Sequence, residues 1–167
     1  MKAFTLLVLI ASALAAPANK GGCGNAAGAA AGGAAACTKT RADLEKGIQD
    51  NLNIQAQELA GVQTLQKQIG TADFKTTQAK VLKIQQQGID IRVNNQKLAK
   101  QINSTASAGL DIVQGAQLKE MSQVQGLTGT AATEKADKET LATLVQEVQD
   151  GTKQNQKNLA DAKSSKC

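Results

Sequence analysis

The 167-residue chain contains no histidine, tryptophan or tyrosine, and only two phenylalanines. One of them, Phe4, lies in an N-terminal segment with the pattern of a removable leader, which leaves Phe74 as the single aromatic of the remainder. The missing imidazole withdraws the commonest general base and the commonest metal ligand. A lone aromatic forms no stacking platform for sugars, bases or quaternary amines. Proline is confined to Pro17, so nothing beyond it forbids long helices. Three cysteines are too few to hold a metal by themselves. What is abundant is glutamine, with 20 copies, and glycine, with 15.

The N-terminus reads as a targeting segment. Lys2 supplies a short basic region, and Phe4 to Leu14 (FTLLVLIASAL) supplies the apolar run. Ala13-Leu14-Ala15 fits a small-x-small cleavage site, with Ala16-Pro17-Ala18 as a later option. The run is about half the length needed to span a bilayer. Residues 1–15 are therefore expected to be a secretory signal, with cleavage as late as residue 18 the second option. The mature chain would be extracellular, free or associated with a cell wall, with no transmembrane segment. Its charge, 18 Lys+Arg against 14 Asp+Glu once Lys2 is removed, is a mild +4 and gives no sign of a nucleic-acid partner.

Residues 16–37 form a low-complexity Gly/Ala spacer, densest in Gly21 to Ala36 (GGCGNAAGAAAGGAAA). Its glycines oppose helix formation and it has no apolar face to pack, so a flexible tail is expected. Every Leu, Ile, Val, Met and Phe of the mature chain lies between Leu44 and Leu159. One domain, residues 38–167, follows.

Within it the apolar residues recur at helical steps. Thr40-x-x-Asp43 resembles a capping box opening a first helix, with Leu44, Ile48, Leu52, Ala56, Leu59, Val62, Leu65 and Ile69 as its stripe. Gly70 supplies a stop and Thr71 a fresh N-cap. The second helix carries a heptad seam through Phe74, Thr77, Val81, Ile84, Gly88, Ile91, Asn95, Leu98 and Ile102. A third runs from about Gly109 to Leu127, and a fourth uses Leu141, Leu144, Val145, Val148 and Leu159. Short turns force neighbours to run antiparallel, so the expected fold is all-α, an antiparallel four-helix up-down bundle. The alternative is an extended coiled coil, and oligomers could form through the second-helix seam or through Cys23.

In such a bundle the start of the first helix and the end of the fourth share one end. Cys37 and Cys167 are then candidates for a disulfide, with Cys23 as a spare or intermolecular thiol. The competing pairing is Cys23–Cys37, which leaves Cys167 free.

No nucleophile, base and orienter can be assembled, so no catalytic residues are expected and the protein is read as a non-enzyme. Asp43/Glu45/Asp50, Glu134/Asp137/Glu139 and Glu147/Asp150 interleave with Lys and read as solvated faces with pairs such as Glu134–Lys138. No glycine-rich loop joins a strand to a helix, and no cofactor or metal is expected. The second helix is the basic one. Lys75, Lys80, Lys83, Arg92, Lys97 and Lys100 stand against Asp90 alone, a candidate contact face for acidic polymers or headgroups. Asn103-Ser104-Thr105 is an N-glycosylation acceptor in a predicted turn.

The order of features resembles the small secreted proteins of filamentous fungi: a signal ending in Ala-Ala-Pro, a Gly/Ala spacer, a Cys, a Gln-rich helical region and a C-terminal Cys. The stretches IQDNLNIQAQELAGV (48–62), IRVNNQKLAKQIN (91–103) and VQDGTKQNQKNLADAK (148–163) carry it. A looser likeness is to the fungal hydrophobic-surface-binding proteins. The resemblance implies an effector-like or cell-wall protein acting through surface contacts with a protein, wall or host-surface partner. The alternative is a carrier or coating protein for apolar ligands or surfaces.

Overall fold

The inward residues of all four helices repeat at alternating steps of four and three, the spacing that keeps one stripe facing a shared axis. A computed structural model describes residues 26–167, with side chains from Gly33 onward. It consists of α1 (Ala26–Gln68), α2 (Phe74–Gln101), α3 (Ser107–Gly126) and α4 (Glu134–Lys163), with one 3-10 turn at Ala131–Thr133. Each helix packs on its chain neighbours, and α4 closes against α1. This is the expected bundle, not an extended coiled coil.

The first helix does not start at Thr40. It is helical from Ala26, inside the stretch read as a flexible spacer, and the Thr40 hydroxyl donates back to the Ala36 carbonyl (3.0 Å) instead of capping. Alanine's helix propensity, reinforced by a helix already packed below, outweighs the glycines here. The leader (1–15) and Cys23 lie outside the described residues.

Both ends are tied. At one, Gly70 and Gly129 take the left-handed conformation (φ +81° and +70°) that turns α1 into α2 and α3 toward α4. The Gly70 amide donates to the Gly129 carbonyl (2.9 Å), so the two turns hold each other. Phe74 is buried beside them, packed so closely on Gly129 that a Cβ there would enter its ring. At the other end Cys37 and Cys167 meet at disulfide distance, Cα atoms 5.4 Å apart across 130 residues of sequence. Arg41 Nη1 donates to the Ser165 carbonyl (3.1 Å), and Ser165 Oγ donates to Ser104 Oγ (2.8 Å). The competing Cys23–Cys37 pairing is incompatible with this arrangement.

The stripes themselves correct the sequence reading. On α1 the buried set is Leu44, Ile48, Asn51, Gln55, Glu58, Val62 and Leu65, while Leu52 and Leu59 are half-buried and Ala56 is exposed. On α2 it is Phe74, Gln78, Val81, Gln85, Gly88, Arg92, Asn95 and Ala99. Thr77, Ile84, Ile91 and Leu98, expected in the seam, are only half-buried. The reason is geometric. A helix in a square bundle touches two neighbours, so the positions flanking its central stripe also pack, and these hold the larger aliphatics.

Apolar residues then fill only the two ends of the core. Val62, Leu65, Phe74, Val81, Val124, Leu127, Leu141 and Leu144 cluster at the turn end. Leu44, Ile48, Ala99, Ala106, Leu110 and Ala162 cluster at the disulfide end. Between them the core is polar.

Several carboxamides in that middle zone lie over a glycine of an adjacent helix. A Cβ on Gly47 would collide with Asn95, and one on Gly109 with Asn158 and Gln154. Gly115, by contrast, faces open space. Gly47→Ala and Gly109→Ala should each destabilise the bundle by about 1–3 kcal/mol through overpacking, whereas Gly115→Ala should stabilise it by up to ~1 kcal/mol. Urea unfolding followed by far-UV circular dichroism checks both signs.

Candidate functional site

Ten polar side chains converge in the middle of the bundle, drawn from all four helices. Arg92 is wholly buried, as is Glu58, and Glu120 is only 3% exposed. The stripes place them. Continuing the four-three rhythm of α1 from Leu44 and Ile48 to Val62 and Leu65 passes through Asn51, Gln55 and Glu58. The same rhythm on α2 passes through Gln85, Arg92 and Asn95, on α3 through Gln117 and Glu120, and on α4 through Asn155 and Asn158.

Hydrogen bonds join them across the helices. Gln85 Nε2 and Gln117 Nε2 both donate to Glu58 Oε1 (2.7 and 2.9 Å). Arg92 Nη2 donates to Asn51 Oδ1 (2.7 Å) and Gln117 Oε1 (3.2 Å). Asn155 Nδ2 donates to Asn51 Oδ1 (2.7 Å) and Gln55 Oε1 (2.9 Å). Asn51 Nδ2 in turn reaches the Gly88 carbonyl (2.9 Å), where the absence of a side chain lets it approach the backbone. Satisfaction is incomplete. Arg92 Nε and Nη1, Gln85 Oε1 and both polar atoms of Asn95 are buried without a protein partner, and a buried group left unpaired costs stability.

The electrostatics follow from burial. Loss of solvent pushes the Glu120 carboxyl up to about 8, the nearby Glu58 and Glu147 push the same way, and Arg92 and Lys119 pull back. Burial also raises Glu58, opposed by its bonds to Gln85 and Gln117 and by the Arg92 charge. Burial lowers Arg92 to about 10, opposed by Glu58 and Glu120, so the guanidinium stays charged at neutral pH. With Glu120 protonated, that carboxyl adds no charge to the core at neutral pH.

This set does not stand out in the sequence, and Glu58 and Glu120 are not among the carboxylates considered there. Arg92, expected on a basic contact face, is in the core instead. The remaining α2 cations divide. Lys75 turns inward to the Gln78 Oε1 (2.9 Å) and the Leu127 carbonyl (3.1 Å). Lys80, Lys83, Lys97 and Lys100 are exposed. All six ion pairs among the described residues lie on α1, α3 or α4, none on α2. The pair Lys138–Glu134 forms as expected (2.6 Å).

Asp137 is a further correction. Read as solvated, it is buried and accepts from the Gly129 amide (2.8 Å) and the Thr133 hydroxyl (2.9 Å). Burial alone would raise its carboxyl, but these bonds, with those from Thr128, outweigh it and hold the group below the usual carboxylate range. Asn103 is exposed at the α2–α3 turn with a left-handed backbone (φ 49°). Among the described residues no helix is long and apolar enough to cross a membrane.

No protein-family model matches the chain, and neither a curated protein nor a solved structure matches it.

The carboxyls set opposite limits on stability. Glu120 and Glu58 bind protons more tightly folded than unfolded, so their contribution is complete below their ordinary value near 4.5 and is lost as pH rises, for Glu120 up to about 8. Asp137 binds its proton less tightly when folded, so its contribution is present above 3.8 and lost as pH falls through its lowered value. The urea midpoint should therefore be highest at about pH 5 and decline toward pH 8.5. A midpoint that is flat or rises over that interval contradicts the buried-carboxyl assignment.

Proposed function

We propose that the chain is a secreted, non-enzymatic helical bundle that acts through surface contacts, at a fungal cell surface or a host interface, with the outer face of α2 as the contact. The observation that carries this reading is the unpaired row of cations. Lys80, Lys83, Lys97 and Lys100 stand outward with no ion pair or side-chain hydrogen bond among the described residues, whereas α1 and α4 neutralise part of their exposed charge by i,i+4 pairing. Val93, 54% exposed between the two lysine pairs, adds an apolar contact. Free cations of one sign on a rigid rod attract anionic polymers or headgroups and lose that attraction in salt. The leader-like N-terminus and the cysteine pair at disulfide distance support passage through an oxidising compartment. The buried carboxyls do not support hydrolysis: Glu58 is fully engaged by amides, and Arg92 lies beside it.

A second reading, a carrier of amphipathic apolar ligands, draws on a groove of about 360 Å³ between α3 and α4, lined by Ile112, Val113, Ala116 and Gly151 and also by Lys119, Glu147, Asp150 and Gln154.

One chromatographic comparison separates the two. On an anionic polysaccharide matrix the protein should be retained at low salt and released by high salt. Lys83→Glu/Lys97→Glu should weaken retention at least about tenfold, at roughly 1 kcal/mol per lysine near an anionic surface. Retention on an alkyl matrix that persists in high salt, with none on the anionic one, would favour the carrier.

A further inference from the structure

We propose that the Glu58–Arg92–Glu120 layer is a proton-operated latch on α3: with Glu120 neutral the bundle is closed, and removal of that proton releases the middle of α3 from the core. The helix is the shortest of the four, with 20 residues. Its two central inward positions, Gln117 and Glu120, are both polar, and the nearest apolar anchors, Val113 and Val124, lie a turn away on either side. Gln117 is held by Glu58 and Arg92. Glu120 makes no side-chain hydrogen bond among the described residues, although it is 3% exposed. No protein donor offsets that burial, and only a sliver of solvent reaches the carboxyl, so the neutral form is favoured.

The groups that face it come from every helix around it. Glu58 stands on α1, Arg92 on α2 and Glu147 on α4, with Lys119 beside it on α3. Lys119 is turned away to Glu147 (2.6 Å). Arg92 spends Nη2 on Asn51 and Gln117. An ionised Glu120 would thus place two carboxylates against one guanidinium inside the core, with Glu147 as a third negative charge at the α3–α4 boundary. The repulsion acts on α3, because Glu58 is anchored by two amides and Arg92 is tied to α1 and α3. Ordinary slightly alkaline conditions are enough to remove the proton, since burial sets that carboxyl at about 8. The ties at the two ends of the bundle, the Gly70–Gly129 contact between the turns and the Cys37–Cys167 pair, lie away from this layer and survive the change.

The test uses the full disulfide-intact protein between pH 5 and 9.5. Carbon-13 carboxyl shifts should show one glutamate, Glu120, titrating far above the others. Amide exchange of residues 107–126, corrected for its intrinsic base catalysis, should accelerate about tenfold through the same step, while residues 141–158 of α4 change less. Glu120→Gln should abolish the acceleration. Titration of Glu120 together with the other glutamates between 4 and 5 would overturn the latch, as would α3 protection that stays constant or increases through the step. The wild-type titration and exchange decide the matter even if Glu120→Gln fails to fold.

Discussion

One guanidinium buried beside two carboxyl groups, Glu58 and the protonated Glu120, governs this bundle. Moving charged groups out of water costs several kcal/mol per ion, and attraction between them seldom returns more than it costs. Arg92 and Glu58 do not touch directly. Their charges are spread through amides, Gln117 bridging one to the other and Asn51 and Asn155 extending the chain of bonds to α1 and α4. Such a network holds only in one alignment of the four helices. Sliding α1, α2 or α3 by one turn would leave a charge unpaired in the core, and sliding α4 would strand its amides, whereas apolar clusters by themselves tolerate many pairings. The polar layers thus set register, and the apolar clusters supply the driving force for collapse.

The glycines belong to the same device. A carboxamide needs room and a polar wall. Gly88 gives Asn51 a backbone carbonyl, and Gly47 and Gly109 leave space for Asn95 and Asn158. Glycines in helix interiors look like weaknesses from propensity alone. Here they are the surface against which buried Asn and Gln side chains fit.

Much of this was legible in the sequence. Turn chemistry at Gly70 and Thr71 located the α1–α2 boundary within a few residues, and the up-down topology brought Cys37 to Cys167. The seams were misread at alternate positions because apolarity was taken as the mark of the core. Ile84 and Ile91 are more apolar than Gln85 and Arg92, yet they occupy the flanks. The rhythm itself carried the right answer: after the four-residue step from Leu44 to Ile48, strict alternation leads through Asn51, Gln55 and Glu58 to Val62 and Leu65. Hydrogen-bond complementarity among residues 25 to 104 positions apart is invisible to a local pattern. Asp137 was missed for a related reason: its partners lie in the preceding turn, upstream of its own helix.

The central claim is that the buried charges specify one alignment. Replacing all three together, Glu58→Met/Arg92→Met/Glu120→Met, keeps core volume and removes the charges. At neutral pH the account predicts a protein that is still helical and at least as stable, by up to about 4 kcal/mol, but whose proton–nitrogen correlation spectrum shows multiple or broadened peaks, the mark of several coexisting alignments. A single sharp set of peaks matching the wild-type pattern would contradict it, because the apolar ends alone would then suffice to fix the register.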